Sequence, residues 1–294
     1  MDITSVAAAS PMNFHLIDAI TAPGNPAKAN DDAWMAAPTL AAVIDGATSL
    51  NDPIMPGTSD AAWFAHLMAE RLLAHQGSGS AQAALHAAVA DLKTEFVAQR
   101  SRAPIAMHEV PCASLMLIAP AGDAFISALS FGDCSAIVRY EDGAVLTIGD
   151  ALEKRAIEAS EVAKLAQNAG VDPASASTRI EFLPSLRASR NRYNQEEGAW
   201  VLAPDTDCVD HAKTAQFAAP VGTILLLASD GFTALVSDYR VYDTARLIDA
   251  AIAKGLSSLL TELRDIESGD PTGKQFARYK RSDDATALLV KILP

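Results

Sequence analysis

Short apolar runs, each carrying an aspartate at one end, are distributed from the first fifth of the chain to its last residues, and they constrain the fold more than any other feature. Leu40 to Ile44 leads into Asp45, Ala124 to Phe131 into Asp133, Thr223 to Ala228 into Asp230, and Asp283 with Asp284 precedes Ala287 to Leu293. Runs of this length bounded by Gly or Asp read as strands. The first three aspartates follow their strands and the last pair precedes its own. An antiparallel arrangement would therefore bring all of them to one edge of the sheet system. The middle of the chain, Ala124 to Phe131 continuing through Ala136 to Tyr140, then a Glu141-Asp142-Gly143 turn and Ala144 to Ile148, reads as antiparallel hairpins.

Helical patterns fill the gaps. Ser59 to His75 places Trp63, Leu67, Met68 and Leu72 at helical spacing behind Thr58, Ser59 and Asp60 as possible caps, and Ser80 to Arg100 carries Leu85, Val89, Leu92 and Phe96 on one face. Gly77-Ser78-Gly79 joins the two as an antiparallel pair. Further helices are expected over Leu152 to Asn168, Tyr242 to Ala253 and Leu256 to Ile266. Strands in the middle and at both ends with helix pairs between them imply helices layered on an antiparallel sheet system. No linker divides residues 1–294, so one domain is expected, with an insertion or flap within 150–221 where the patterning is weakest.

Composition narrows the partners. The 36 acidic against 23 basic residues give a formal net charge of −13, which disfavours a nucleic-acid backbone. No apolar stretch approaches the roughly 20 residues a membrane-spanning helix needs, and the N-terminus lacks the basic start of a secretory signal. The expectation is a cytoplasmic protein. Cys112, Cys134 and Cys208 share no metal-ligand or disulfide spacing.

Carboxylates gathered at one sheet edge repel one another unless cations are bound. Hard divalent ions, Mn²⁺ or Mg²⁺, take oxygen ligands from carboxylates, carbonyls and water. The glycines of Asp45-Gly46 and Asp230-Gly231 allow a sharp turn and close backbone approach there.

Asn30-Asp31-Asp32, Val43-Ile44-Asp45-Gly46, Phe131-Gly132-Asp133-Cys134, Ala228-Ser229-Asp230-Gly231-Phe232 and Ser282-Asp283-Asp284-Ala285-Thr286 resemble, in order, the signature blocks of the metal-dependent protein phosphatases, the type 2C group. The resemblance implies an α+β fold, a four-layer αββα sandwich of two antiparallel sheets flanked by helices, with two Mn²⁺ or Mg²⁺ ions at one end. It implies that Asp45 bridges the ions, that the Gly46 carbonyl, Asp230 and Asp283 complete the protein ligands, and that Asp32, beside Asp31, holds metal-bound water. Asp133 would bind a third ion with Asp230. Water activated by the ions would attack phosphorus in line, without a phosphoenzyme. The implied substrate is phosphoserine or phosphothreonine in a protein or peptide. The alternatives are a hydrolase of small phosphoesters and a catalytically silent domain that keeps the fold.

Three departures stand out. Ala27 occupies the position where the family has a phosphate-gripping arginine, which leaves Lys28, or Arg192 of the Arg187, Arg190 and Arg192 cluster, as substitutes. Lys274, Arg278, Lys280 and Arg281 just upstream of Asp283 form a second basic group. Ala47-Thr48 stands where animal members place a histidine, and Asp284 stands where the family has asparagine. Oligomeric state is not legible.

Overall fold

The computed structural model describes residues 12–122, 124–149, 162–164, 167–168, 170, 172–174, 176–278 and 280–294. Ten strands among them form two five-stranded antiparallel sheets. One sheet is ordered β2 (Asp32–Ala37), β3 (Leu40–Gly46), β4 (Ala113–Pro120), β5 (Phe125–Phe131) and β8 (Lys213–Ala218). The other is ordered β1 (Asn13–Ala22), β10 (Ala285–Leu293), β9 (Ile224–Ala228), β6 (Ser135–Arg139) and β7 (Val145–Ile148).

Alternation along the strands builds three cores. Leu40, Ala42 and Ile44 of β3 pack with helices α1 (Asp60–Ala74) and α2 (Ala81–Gln99), whereas Ala41 and Val43 face the second sheet. Leu225 and Leu227 of β9 with Leu288 and Val290 of β10 meet them across the sandwich. On the far side, Leu226, Ala228 and Leu289 pack against Phe232, Leu247, Leu259 and Leu263, which come from α4 (Asp230–Ser237), α5 (Thr244–Lys254) and α6 (Leu256–Gly269). The layers are therefore helix, sheet, sheet, helix, an α+β sandwich. Strands covered on both faces need apolar residues at every position, which is why they read as continuous runs rather than as alternating ones.

The structure differs from the sequence reading in several places. The segment 125–139 is not one hairpin: β5 and β6 lie in different sheets, and the chain crosses between them at residues 132–134. The hairpins are β4 with β5 and β6 with β7. Strands β1, β2, β4 and β8 and helices α3 (Ala176–Arg190) and α4 were not anticipated. The helix expected over Leu152 to Asn168 lies largely outside the described residues. Both anticipated helix starts are capped by serine: Ser59 Oγ accepts from the Ala62 amide at 3.2 Å and Ser80 Oγ from the Ala83 amide at 3.1 Å. Among the described residues, no helix is long and apolar enough to cross a membrane.

Candidate metal centre

The topology collects the aspartates at one end of the sandwich. Asp32 opens β2 and Asp45 nearly closes β3, and the two are direct partners across that antiparallel pair. Asp133 stands two positions after β5 ends. Asp230 is the first residue of α4, two positions after β9 ends, and Asp283 stands two before β10, which pairs antiparallel with β9. Carboxylate oxygens of Asp45, Asp133 and Asp230 lie within 4.8 Å of one another. These three, with Gly46, Asp283 and Lys280, line a cleft of about 670 Å³.

Burial and mutual repulsion act on the cluster together. Asp45 is pushed well above the usual carboxylate range, first by burial and then by Asp32, Asp230, Asp133 and Asp283. Asp32, which is 1% exposed, is raised to about 8: burial dominates, the Ser229 hydroxyl opposes it, and Asp283 and Asp284 add to it. One Asp32 oxygen, Oδ2, accepts from Ser229 Oγ at 2.8 Å, whereas Oδ1 is buried with no partner. Asp31 is raised by burial against the lowering effect of its bond from Ser59 Oγ at 2.5 Å.

An orphaned buried carboxylate oxygen beside three converging carboxylates is an arrangement that a bound divalent cation relieves. The donors are all oxygen, which suits Mn²⁺ or Mg²⁺ rather than a softer ion. The residues present therefore fit the ions that the resemblance implies.

Close backbone approach explains the two glycines. A Cβ on Gly46 would stand 2.4 Å from the Asp31 carbonyl oxygen and 2.8 Å from that of Ala61. At Gly231 it would stand 2.0 Å from the Asp284 carbonyl oxygen. Only glycine lets α4 begin against residues 283–284.

Hydroxyls aim the carboxylates. Ser114 Oγ donates to Asp133 Oδ1 at 2.6 Å, Ser229 holds Asp32, and the Ser59 cap of α1 reaches Asp31. Ser59 is expected from the sequence as a helix cap, but none of the three serines is expected to hold a carboxylate, because a serine beside a strand or helix end carries no signal of what it will face. Asp284 braces the backbone, its Oδ1 accepting from the Gly24 amide at 2.7 Å and its Oδ2 from the Asp31 amide at 2.6 Å. It ties the loop before β2 to the start of β10.

The basic residues divide by role. Lys280 Nζ bonds Asp283 Oδ1 at 2.5 Å. Burial works against its charge, but Asp283, Asp45 and Asp230 outweigh burial and hold the ammonium above the usual lysine range. Arg278 is buried on Asp270 at 2.9 Å, and Lys274 pairs with Asp172 at 3.1 Å. Arg187 donates to the Leu50 carbonyl and Arg190 to the Thr48 carbonyl, so α3 straps the segment after Gly46 rather than offering these groups to an anion. Arg192 is exposed and lines neither of the clefts at this end. Lys28 is exposed in an adjoining cleft with Asp31, Arg264, Lys280 and Arg281. The metal cleft is also lined by Tyr193, Trp200, His211 and Lys213, with Trp200 and His211 stacked at 3.3 Å between ring centres.

Neither protein-family models nor curated proteins give a match to the sequence. Solved structures do. The catalytic domain of the serine/threonine protein phosphatase PstP, solved with two manganese ions, is 15% identical with a TM-score of 0.52, covering 96% of this chain and 100% of that one. PppA of Pseudomonas aeruginosa, described as a regulatory component of a type VI secretion system, is 16% identical with a TM-score of 0.51, over 97% of this chain and 99% of that one. The PPM Ser-Thr phosphatase MsPP of Mycobacterium smegmatis, solved with cacodylate, is 17% identical with a TM-score of 0.51, over 94% and 98%. The chain has the fold of these phosphatases.

Proposed function

We propose that this chain, built on the phosphatase sandwich, is a member of the metal-dependent protein phosphatase family that hydrolyses phosphoserine and phosphothreonine in proteins. The observation that carries the reading is the convergence of Asp45, Asp133 and Asp230 within 4.8 Å at the sandwich end. In this reading residues 1–294 form one domain with an insertion or flap within 150–221. Three free, buried cysteines accord with a cytoplasmic setting.

Asp45, the Gly46 carbonyl, Asp230 and Asp133 are the groups that would hold Mn²⁺ or Mg²⁺, with Asp283, which bonds Lys280, joining them only where that contact opens. When bound, such ions let water lose a proton near neutral pH and offset charge on the phosphoryl oxygens. The chain's own groups do the rest. Asp32 Oδ1, without a protein partner, is the acceptor available to orient water, and Ser229 fixes the carboxylate that carries it. Ser114 holds Asp133 in place. Lys213 on the cleft wall, with Lys28 and Arg281 in the adjoining cleft, supplies the positive charge that a phosphorylated segment needs beside so many carboxylates. Tyr193 and Trp200 give that wall an aromatic surface for the residues around the phosphate.

The test is hydrolysis of a phosphothreonine peptide and of an aryl phosphate by the full chain with Mn²⁺, with chelator, and with Asp230→Ala. Peptide turnover lost in both of the latter conditions supports the reading. Turnover that survives them sinks the metal mechanism. Activity on the aryl ester alone identifies a small-phosphoester hydrolase, and Mn²⁺ binding without turnover of either substrate identifies a silent domain.

A further inference from the structure

The aspartates at the sandwich end do not form one equivalent set. Oxygens of Asp45, Asp133 and Asp230 come within 4.8 Å of one another. Asp283 lines the same cleft, but its Oδ1 is taken by the ammonium of Lys280 at 2.5 Å and by the Asp284 amide at 3.0 Å. We propose that Lys280 is a resident cation of this centre, its ammonium holding the position beside Asp283 where a second divalent ion would otherwise bind, so that the chain takes one tight Mn²⁺ rather than two. The inference rests on the metal-centre reading above.

Three features support it. First, the contact is short and charge-assisted, the stronger class of hydrogen bond. It closes over three residues on the segment leading into β10, so it is remade at once whenever it opens. Second, Lys280 is partly enclosed, its side chain 33% exposed and that of Asp283 27% exposed, so water screens the pair less than it would on an open surface. Third, Lys280 lines both clefts at this end of the sandwich and so stands between the triad and the adjoining cleft. An ion arriving at Asp283 must displace the ammonium and then tolerate it nearby. An ion arriving at Asp45, Asp133 and Asp230 meets carboxylate oxygens that already converge within 4.8 Å of one another.

The other basic residues of the same stretch are committed elsewhere or exposed. Arg278 is buried on Asp270, Lys274 reaches Asp172, and Arg281 is exposed.

The experiment is calorimetric titration of the chelator-stripped full chain with Mn²⁺, with electron paramagnetic resonance of the loaded protein. Wild type and Lys280→Arg should each bind one ion tightly and give a mononuclear Mn²⁺ spectrum. Lys280→Gln should bind a second ion at least tenfold more tightly than wild type does and give the spectrum of an exchange-coupled pair. Two tight, coupled ions in wild type would overturn the inference and leave the metal centre standing. A Lys280→Gln isotherm identical to wild type would also overturn it. No Mn²⁺ bound by wild type would remove the metal centre itself and the inference with it. Circular dichroism checks that Lys280→Gln folds; if it does not, the ion count of wild type and of Lys280→Arg decides alone.

Discussion

In the metal-free chain, Asp32→Asn should be a stabilising substitution, by an amount that grows with pH. Folding raises the Asp32 carboxyl from 3.8 to about 8 by burial and by the nearby Asp283 and Asp284. Between those values the folded state keeps a proton that the unfolded state has released. Wild-type stability therefore falls as pH climbs from about 4 and levels off above about 8. Roughly three pH units separate 3.8 from neutrality, and at 1.36 kcal/mol for each the penalty at pH 7 comes to about 4 kcal/mol as an upper bound. That is a large part of the roughly 5–15 kcal/mol by which a domain is usually stable. Asparagine cannot ionise and can still accept from Ser229. The assay is urea unfolding in chelator at pH 5, 6, 7 and 8, followed by the fluorescence of Trp34, Trp63 and Trp200. The two proteins should converge toward pH 5, with the Asn variant ahead by up to several kcal/mol at pH 8. Both curves retain a residual fall, because Asp45 is raised in the same sense. Added Mn²⁺ should reverse the order, since the ion competes with the proton for the carboxylates. A gap in chelator that is absent, or that narrows as pH rises, would refute the reasoning.

Other substitutions test other parts of the site. Asp284→Ala removes both acceptors for the Gly24 and Asp31 amides and should cost about 2–4 kcal/mol in chemical denaturation, while Asp284→Asn, which keeps one acceptor, should cost about half as much. Gly231→Ala puts a methyl 2.0 Å from the Asp284 carbonyl oxygen. It should push α4 off residues 283–284, destabilise by about 1–3 kcal/mol and weaken Mn²⁺ binding, as calorimetry would show. Arg187→Ala with Arg190→Ala frees the Thr48 and Leu50 carbonyls from α3. Limited proteolysis should then cut the segment 47–50 faster while the far helix layer keeps its protection.

Most strands that the sequence made visible are buried on both faces: β3, β5, β6, β9 and β10 carry near-continuous aliphatic runs because most of their side chains enter one core or another, although β4, buried in the same way, was not among them. Edge strands β1 and β8 were missed because each carries only one buried residue, Phe14 and Phe217. Local pattern also says nothing of which sheet a strand joins. Phe131 and Ser135 are four residues apart and look like two arms of one hairpin, yet they end and begin strands in opposite sheets. That choice is made by long-range pairing of β6 with β9, whose register joins Ser135 to Ala228.

The carboxylates were legible for a related reason: an ionised group at the end of a buried strand has no stabilising role of its own, so its presence there demands a partner. The identity of that partner is where sequence reasoning ends. Asp283 and Asp284 read as one acidic pair before a strand, but one oxygen of Asp283 meets an ammonium and both oxygens of Asp284 meet backbone amides. The same holds for the arginines. Arg187, Arg190 and Arg192 suggest an anion site by proximity in sequence, but helical spacing lets Arg187 and Arg190 reach the loop after Gly46 and leaves Arg192 exposed. Charge at a site follows from which side chains the fold makes neighbours. Lys280 shows this most sharply: three residues from Asp283 in the chain, it is the basic residue of its cluster that the fold turns back into the carboxylates. The ion count of the centre therefore depends on a residue outside every motif that marks the centre in sequence.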